Sequence, residues 1–545
     1  MDGWCRNKKG TFLLFFLVGA IFWGMSQTPA RKSVNANKII ILHADSMELS
    51  QERKDIYILR GNVQFRHDSA YMYCDSAYFS ELANTMDAYS NVRINQGDTL
   101  SLVGDSMNYI GNLYLAKMYD NIIMYSRNDN LTLYTDNLDY DRKANIAYYY
   151  YGGTVTDPQN ELTSNYGSYA PNTKMATFKG DVQLVNQDME TQDTIFVLTT
   201  DTLNYNTQTR IAYIISPSVI ESDSGKVYSS RGWYNTAENR SMLYDRSIVE
   251  SKDKTKTMTA DSIFYDRAGG IVEGFVDMIL TDTARRAMLT GNYGFYDENR
   301  KYAFATDSAL VIEYSQPDSL FCHADSVFME QDALGRQEVR AYYGVRFYRT
   351  DIQGVCDSMR FNNADSVLYM YKNPVLWNTA YQIHGDTMQI FFNDSTIERM
   401  DVLNYSFVIE EKDSSYFNQI KGRELNAFFL AGELYHVDVT GNAEMIYYPV
   451  DEKDASFLGR YRTITTYMGI DVKNRKPARI VWWPNPDLKA IPMPDLTSDD
   501  KFLKGFVNYD YLRPKDKMDV FSKIKMKETD VVVQPRRQGR SRGGR

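Results

Sequence analysis

A five-residue phrase, Asp-Ser/Thr-apolar-x-aromatic at its most regular, returns along the chain about every thirty residues. It occurs as Asp45-Ser46-Met47, Asp75-Ser76-Ala77, Asp105-Ser106-Met107 and Asp136-Asn137-Leu138, then as Asp201-Thr202-Leu203 and Asp261-Ser262-Ile263. Later copies are Asp325-Ser326-Val327, Asp357-Ser358-Met359 and Asp386-Thr387-Met388. The first gaps are 30, 30 and 31 residues. Degenerate copies at Ser164-Asn165-Tyr166, Ser230-Arg231-Gly232 and Gly291-Asn292-Tyr293 hold the same period. Self-similarity at this period marks a stacked array rather than a compact enzyme domain.

A second phrase follows each Asp-Ser by about sixteen residues: Gly61-Asn62-Val63-Gln64-Phe65, Ser90-Asn91-Val92-Arg93-Ile94, Asp120-Asn121-Ile122-Ile123-Met124 and Gly180-Asp181-Val182-Gln183-Leu184. Gly274-Phe275-Val276-Asp277-Met278 and Gly441-Asn442-Ala443-Glu444-Met445 continue it. Gly, Asn and Asp accept the positive φ of a tight turn, so this phrase predicts a turn opening a short strand. Residues two apart on a strand share a face. Val63 with Phe65, Val92 with Ile94, Ile122 with Met124, Val182 with Leu184, and Val276 with Met278 therefore point inward, while Gln64, Arg93 and Asp277 point out. On the Asp-Ser arm the inward residues are Met47 with Leu49, Met107 with Tyr109, and Leu203 with Tyr205. One repeat cannot bury its own apolar face, but a stack makes a continuous interior. No sustained 3.6-residue pattern follows the N-terminus, and 42 Tyr and 26 Phe agree with strand propensity. The expectation is an elongated, all-β array.

Residues 1–26 read as a secretory leader, with Arg6, Lys8 and Lys9 before the apolar run Thr11 to Trp23 and a small-residue site at Gly24-Met25-Ser26. A linker (27–37), the repeat array (38–454), terminal strands with a Pro/Trp-rich cap (455–515) and a basic, disordered tail (516–545) follow. Eight of the 14 prolines lie at or beyond Pro449, several of them around Ile480-Val481-Trp482-Trp483. Prolines suit strand edges and starts, and an open array needs a cap for its last edge. The whole-chain charge is −9; without the leader's two net positive charges and the five arginines after Pro535, the body stands near −16. That balance disfavours nucleic acid as a partner of the body, whereas the Arg tail suits an anionic surface or, as the alternative, simply stays solvated.

Cys74, Cys322 and Cys356 remain after the leader, an odd number that gives no full disulfide framework. They read as small buried hydrophobes. His43, His67, His323, His384 and His436 are scattered and form no metal-ligand pair. No nucleophile elbow or phosphate loop stands out, and the carboxylates recur with the repeat instead of clustering once. The expectation is a chain with no catalytic residues, no metal and no cofactor. Asp-Ser/Thr-apolar is also similar to a triplet that accepts O-glycans on exported proteins of some Gram-negative lineages. Its fixed period favours a structural role, with Asp and Ser holding the local backbone.

The two phrases together, clearest over residues 38–125, resemble the OstA/LptA-like family, within it the long multi-repeat OstA-like members. The resemblance implies a β-jellyroll of two facing antiparallel sheets. It also implies a periplasmic role, with outer-membrane association as an extension, binding lipopolysaccharide or a related glycolipid between the sheets without catalysis. Inner-membrane and outer-membrane jellyrolls would be the end-to-end partners. The groove candidates are Met47, Leu49, Val63, Phe65, Val92, Ile94, Met107, Tyr109, Ile122, Met124, Val182, Leu184, Val276 and Met278. The alternative is a structural or adhesive β-solenoid in which these residues fill a closed core. A carbohydrate-cleaving β-helix ranks below both.

Overall fold

The computed structural model describes residues 37–527, apart from 394, 395, 452, 455 and 475. The expected leader and the Arg-rich end of the tail lie outside the described residues. Among the described residues, thirty-eight strands join in one continuous hydrogen-bonded sheet, and every strand pairing is antiparallel. The elongated all-β array expected from the repeat is what forms.

The repeat is built differently from a turn followed by a strand. Ile56–His67 is one 12-residue strand that runs straight through Gly61-Asn62. It pairs with Ala70–Ser80 in two blocks, Ile56↔Ser80 to Arg60↔Ser76 and Val63↔Cys74 to His67↔Ala70. Between the blocks the strand folds over on two left-handed residues, Gly61 (φ 77°) and Asn62 (φ 47°). The chain reverses elsewhere, near Asp68 and near Asn84. Ser90-Asn91, Asp120-Asn121, Gly180-Asp181, Asp245-Arg246, Val276-Asp277 and Gly441-Asn442 repeat the left-handed pair. The sheet is thus creased along a line, and each long strand contributes one half to each of two facing layers. The first layer holds segments such as 56–60, 76–80 and 85–89; the second holds 63–67, 70–74 and 92–96. A bulge of this kind bends a strand and raises its twist without ending it.

The crease explains why the two phrases keep their offset. Asn62 Nδ2 donates to Asp45 at 3.0 Å, Asn91 to Asp75 at 2.7 Å and Asn121 to Asp105 at 2.6 Å. Asn165 and Asp181 make the same bond with the roles exchanged, at 2.9 Å. Farther along, Asn404 donates to Asp386 at 3.0 Å, and Arg246 and Lys372 pair with Asp261 and Asp357 at 2.9 Å. The carboxylate therefore ties one crease position to the next mainly through a side-chain amide or cation, where backbone amides were expected.

Inward side chains from both layers form one apolar cluster running from Ile39 to Ile470. Cys74, Cys322 and Cys356 are buried in it as free thiols, and burial pushes the Cys74 and Cys322 thiols up to about 12. The last strands are Arg460–Lys473, Lys476–Trp483 and Asp487–Ile491. Both of the final two pair with the first, one in each layer.

Residues 492–527 then return as a strap across the outer face of the second layer. Gln419 donates to Lys501 O and accepts from Leu503 N, both at 2.8 Å. Gln382 donates to Val507 O at 2.9 Å and accepts from Tyr509 N at 2.7 Å. Gln353 accepts from Arg513 Nε at 2.9 Å, and the Phe521 ring lies 4.7 Å from that of His323. Leu503, Tyr509 and Leu512 are buried against Phe407, Ile409, Val375 and Trp377. The strap covers a sheet face, while Lys476–Trp483 and Asp487–Ile491 keep most of their residues exposed.

Candidate functional site: a cleft at the open edge

Opposite the crease, the layers meet only through strand ends and reversals. That edge is held by polar groups reaching across it. His67 Nδ1 lies 2.6 Å from Tyr109 Oη, and Arg142 donates to the same hydroxyl at 2.7 Å and to His67 O at 3.2 Å. Burial, then the nearby Arg142 charge, hold His67 below the ordinary imidazole value. Asp129, on a second-layer reversal, takes Ser126 Oγ at 2.8 Å, Lys174 Nζ at 2.8 Å, and the Tyr169 hydroxyl. Burial pushes its carboxyl up, but those bonds outweigh it and leave Asp129 below the usual carboxylate range. Farther along, Asp157 accepts from Tyr205 Oη at 2.9 Å, and Asn160 Nδ2 lies 3.3 Å from Thr236 Oγ1.

Past these latches the layers separate. Eight consecutive strands from Ile211–Ile214 to Ser262–Asp266 are only four or five residues long, because here each half-strand pairs on its own and the crease carries no ladder. A cleft of about 400 Å³ opens between the layers. Phe196, Ile220, Val227, Val249, Met258 and Leu280 line it from the second layer, and Tyr234, Tyr265, Val272 and Tyr296 from the first. Lys226, Lys252, Lys256 and Lys301 stand at its rim with Asp223, Glu250, Asp253 and Glu298. Arg267 pairs with Asp223 across it and holds that carboxyl below its usual range. Lys256 Nζ sits 5.9 Å from the Tyr296 ring centre. Apolar walls under a charged rim suit an amphiphile: alkyl chain inside, anionic head among the lysines. Among the described residues, no three His, Cys, Asp or Glu side chains are placed to hold a metal ion, and no helix is long and apolar enough to cross a membrane.

Residues 36–194 and 187–261 match the model of the OstA-like protein family. Residues 36–261 are OstA-like. The second OstA-like segment contains the cleft walls from Phe196 to Met258, while Tyr265 to Lys301 lie just beyond it. No curated protein matches the chain.

The fourteen groove candidates sit elsewhere in the OstA-like array and its continuation. Val63, Phe65, Val92, Ile94, Met107, Tyr109, Ile122, Met124, Val182, Leu184 and Met278 are at most 2% exposed, packed inside the closed part. Val276 does not accompany Met278 inward. It is the first residue of a crease pair (φ 62°) and is 52% exposed. Met47 and Leu49 lie on the strand Ser46–Leu49, which no further strand covers among the described residues, and are 59% and 51% exposed. None of the fourteen lines the cleft. No signal in the sequence singles out its lining: the repeat weakens to Ser230-Arg231-Gly232 there, but it weakens equally to Ser164-Asn165-Tyr166 outside the cleft.

Proposed function

We propose that this OstA-like protein is a non-catalytic carrier of an amphiphilic lipid, lipopolysaccharide or a related glycolipid, in the periplasm of a cell envelope. The observation that carries the proposal is the cleft between Phe196 and Lys301, where the two-layer interior gains apolar walls open to solvent beneath a rim of lysines and carboxylates. Each methylene buried there contributes about 0.8 kcal/mol, so one acyl chain holds firmly. The long creased strands Thr194–Asn206 and Ile271–Asp282 hold the two layers together at the two ends of the cleft. The edge Ser46–Leu49, where Met47 and Leu49 are uncovered among the described residues, suits strand addition by a partner jellyroll. The inner-membrane and outer-membrane jellyrolls implied by the OstA-like resemblance are the candidates for that position.

The test is photo-crosslinking in a Gram-negative periplasm. A photoreactive residue replacing Met258 or Tyr265 gives a lipopolysaccharide adduct, while one replacing outward Gln64 gives none. Absence of adduct at both cleft positions in a folded, exported protein would reject lipid carriage and favour a closed structural solenoid. The tight burial of Phe65 and Met107 already suits that second reading for the N-terminal part. An adduct at Phe65 or Met107 would instead mean that the latched edge opens during transport.

A further inference from the structure

The outer face of the first layer changes character along one continuous cross-strand row. From Tyr78 the row reads Asp87, Asn108, Lys117, Asp139, Tyr148, Ser168, Thr177 and Asn204, as a solvated face should. Past Trp233 it becomes Met242, Phe264, Glu273, Phe295, Phe304, Phe328, Arg340, Arg360 and Tyr369, each paired with the next on the neighbouring strand. The rings of Phe295, Phe304 and Phe328 stack at 5.5 and 5.7 Å. Phe275 and Tyr293 widen the ladder on one side and Tyr342 extends it. On the opposite layer the strap covers comparable outward rings such as Trp377 and Phe407. Nothing among the described residues covers this ladder.

The order of residues in the row says what fits it. Counted outward from Phe304, the neighbours are Phe295 and Phe328, then Glu273 and Arg340, then Phe264 and Arg360, then Met242 and Tyr369. A twofold axis through Phe304 sets each of these against its opposite number: ring on ring, Glu273 on Arg340, a guanidinium on Phe264, a thioether on Tyr369. Every pair formed is attractive. Among the described residues Glu273 has no cation in ion-pair range and accepts only from Tyr293 Oη at 2.7 Å. Arg340 pairs with Glu330 at 2.9 Å and, through Nε, with Glu338 at 3.4 Å, and Arg360 shares Glu338 at 2.6 Å, so docking Glu273 against Arg340 extends a charge network already present on this face. An isologous interface requires this kind of self-complementarity.

We infer that the outer face of the first layer, centred on Phe304, docks a second copy of this chain face to face about a twofold axis. Nine strands at ~4.8 Å and half-strands roughly 15 Å long give about 600 Å² per copy, or about 1,200 Å² in all. That is the lower end of specific interfaces, so the dimer is reversible and concentration-dependent.

Sedimentation equilibrium of the purified full-length mature protein reads this directly, with a monomer–dimer transition expected in the micromolar range. F304E opposes two carboxylates on the axis and raises the dissociation constant at least tenfold, with unchanged thermal unfolding. E273R alone also weakens the dimer, and E273R combined with R340E restores it. F304C gives a disulfide-linked dimer under oxidation, because only an on-axis residue meets itself, whereas N108C on the polar part of the row does not. A protein monomeric at all concentrations, or a dimer indifferent to F304E, overturns the inference. So does a monomer whose flotation with anionic phospholipid vesicles is lost on F304E, which would assign the face to a bilayer.

Discussion

Replacing Gln382 with alanine should release the middle of the strap while leaving the array folded. The Gln382 side chain is 5% exposed, and its two bonds to Val507 O and Tyr509 N, at 2.9 and 2.7 Å, grip two successive outward-turned points of the strap backbone. Alanine deprives both backbone groups of that partner in a buried place, at about 1–3 kcal/mol each. The strap has little to spare against this. Ordering an extended segment costs about 1–2 kcal/mol per residue, and its anchors are a few side chains, chiefly Leu503, Phe506, Tyr509 and Leu512. A loss of ~2 kcal/mol or more corresponds to at least about 30-fold faster opening-limited amide exchange. Hydrogen exchange resolved by peptide should therefore show residues 503–513 losing protection by that factor, with Val63–Phe65 and Met107–Tyr109 unchanged. Gln382→Glu keeps the acceptor, loses the donor and falls between. Unchanged exchange over 503–513, or an equal loss across the whole array, would refute the reasoning.

Three further outcomes follow from the geometry. Val276→Asn replaces an exposed β-branched residue at φ 62° with one that tolerates the left-handed region, and should raise stability by about 1 kcal/mol in denaturant unfolding. Asp129→Asn leaves Lys174 facing a neutral amide and should cost about 1–3 kcal/mol, seen as faster exchange at 127–130 and 169–174. Because the Asp129 carboxyl is held below its usual range, that difference is present above about pH 4 and vanishes as pH falls further. His384, under the strap, is held by burial at about 3; the unfolded chain takes up its proton below about 6.5 while the fold does not. Its contribution is intact above pH 6.5 and falls by about 2 kcal/mol by pH 5, a loss that His384→Phe should remove from the pH dependence of unfolding.

The sequence carried the β architecture because the period sets it: two alternating arms every thirty residues leave little besides a stacked two-layer array. The Asp and Asn positions were legible for the same reason. Their meaning was not, since two left-handed residues such as Gly61-Asn62 look alike in a reversal and in a crease; only the pairing of Ile56–His67 as one strand separates them. Val276 was misplaced by that same ambiguity. The cleft was hidden because Phe196 and Met258 alternate just as Phe65 and Met107 do. Alternation states which way a side chain points, not whether the opposite layer closes over it. The strap left no periodic trace, its contacts spanning 82 residues from Gln419 to Lys501 and 125 from Gln382 to Val507.

The crease also decides how such an object can move. Because the long strands pass through it from one layer into the other, the layers cannot slide past each other without breaking the ladders on both sides. What remains is rotation about the crease, as covers turn about the spine of a book, with the left-handed residue pairs as the stitching. Neighbouring strands are hydrogen-bonded on both pages, so a large opening at one rung drags its neighbours with it. Between Ile211 and Asp266 the strands are already cut at the spine into separate halves, and there a page can lift alone. Opening is thereby confined to that stretch, while the long strands on either side of it stay shut.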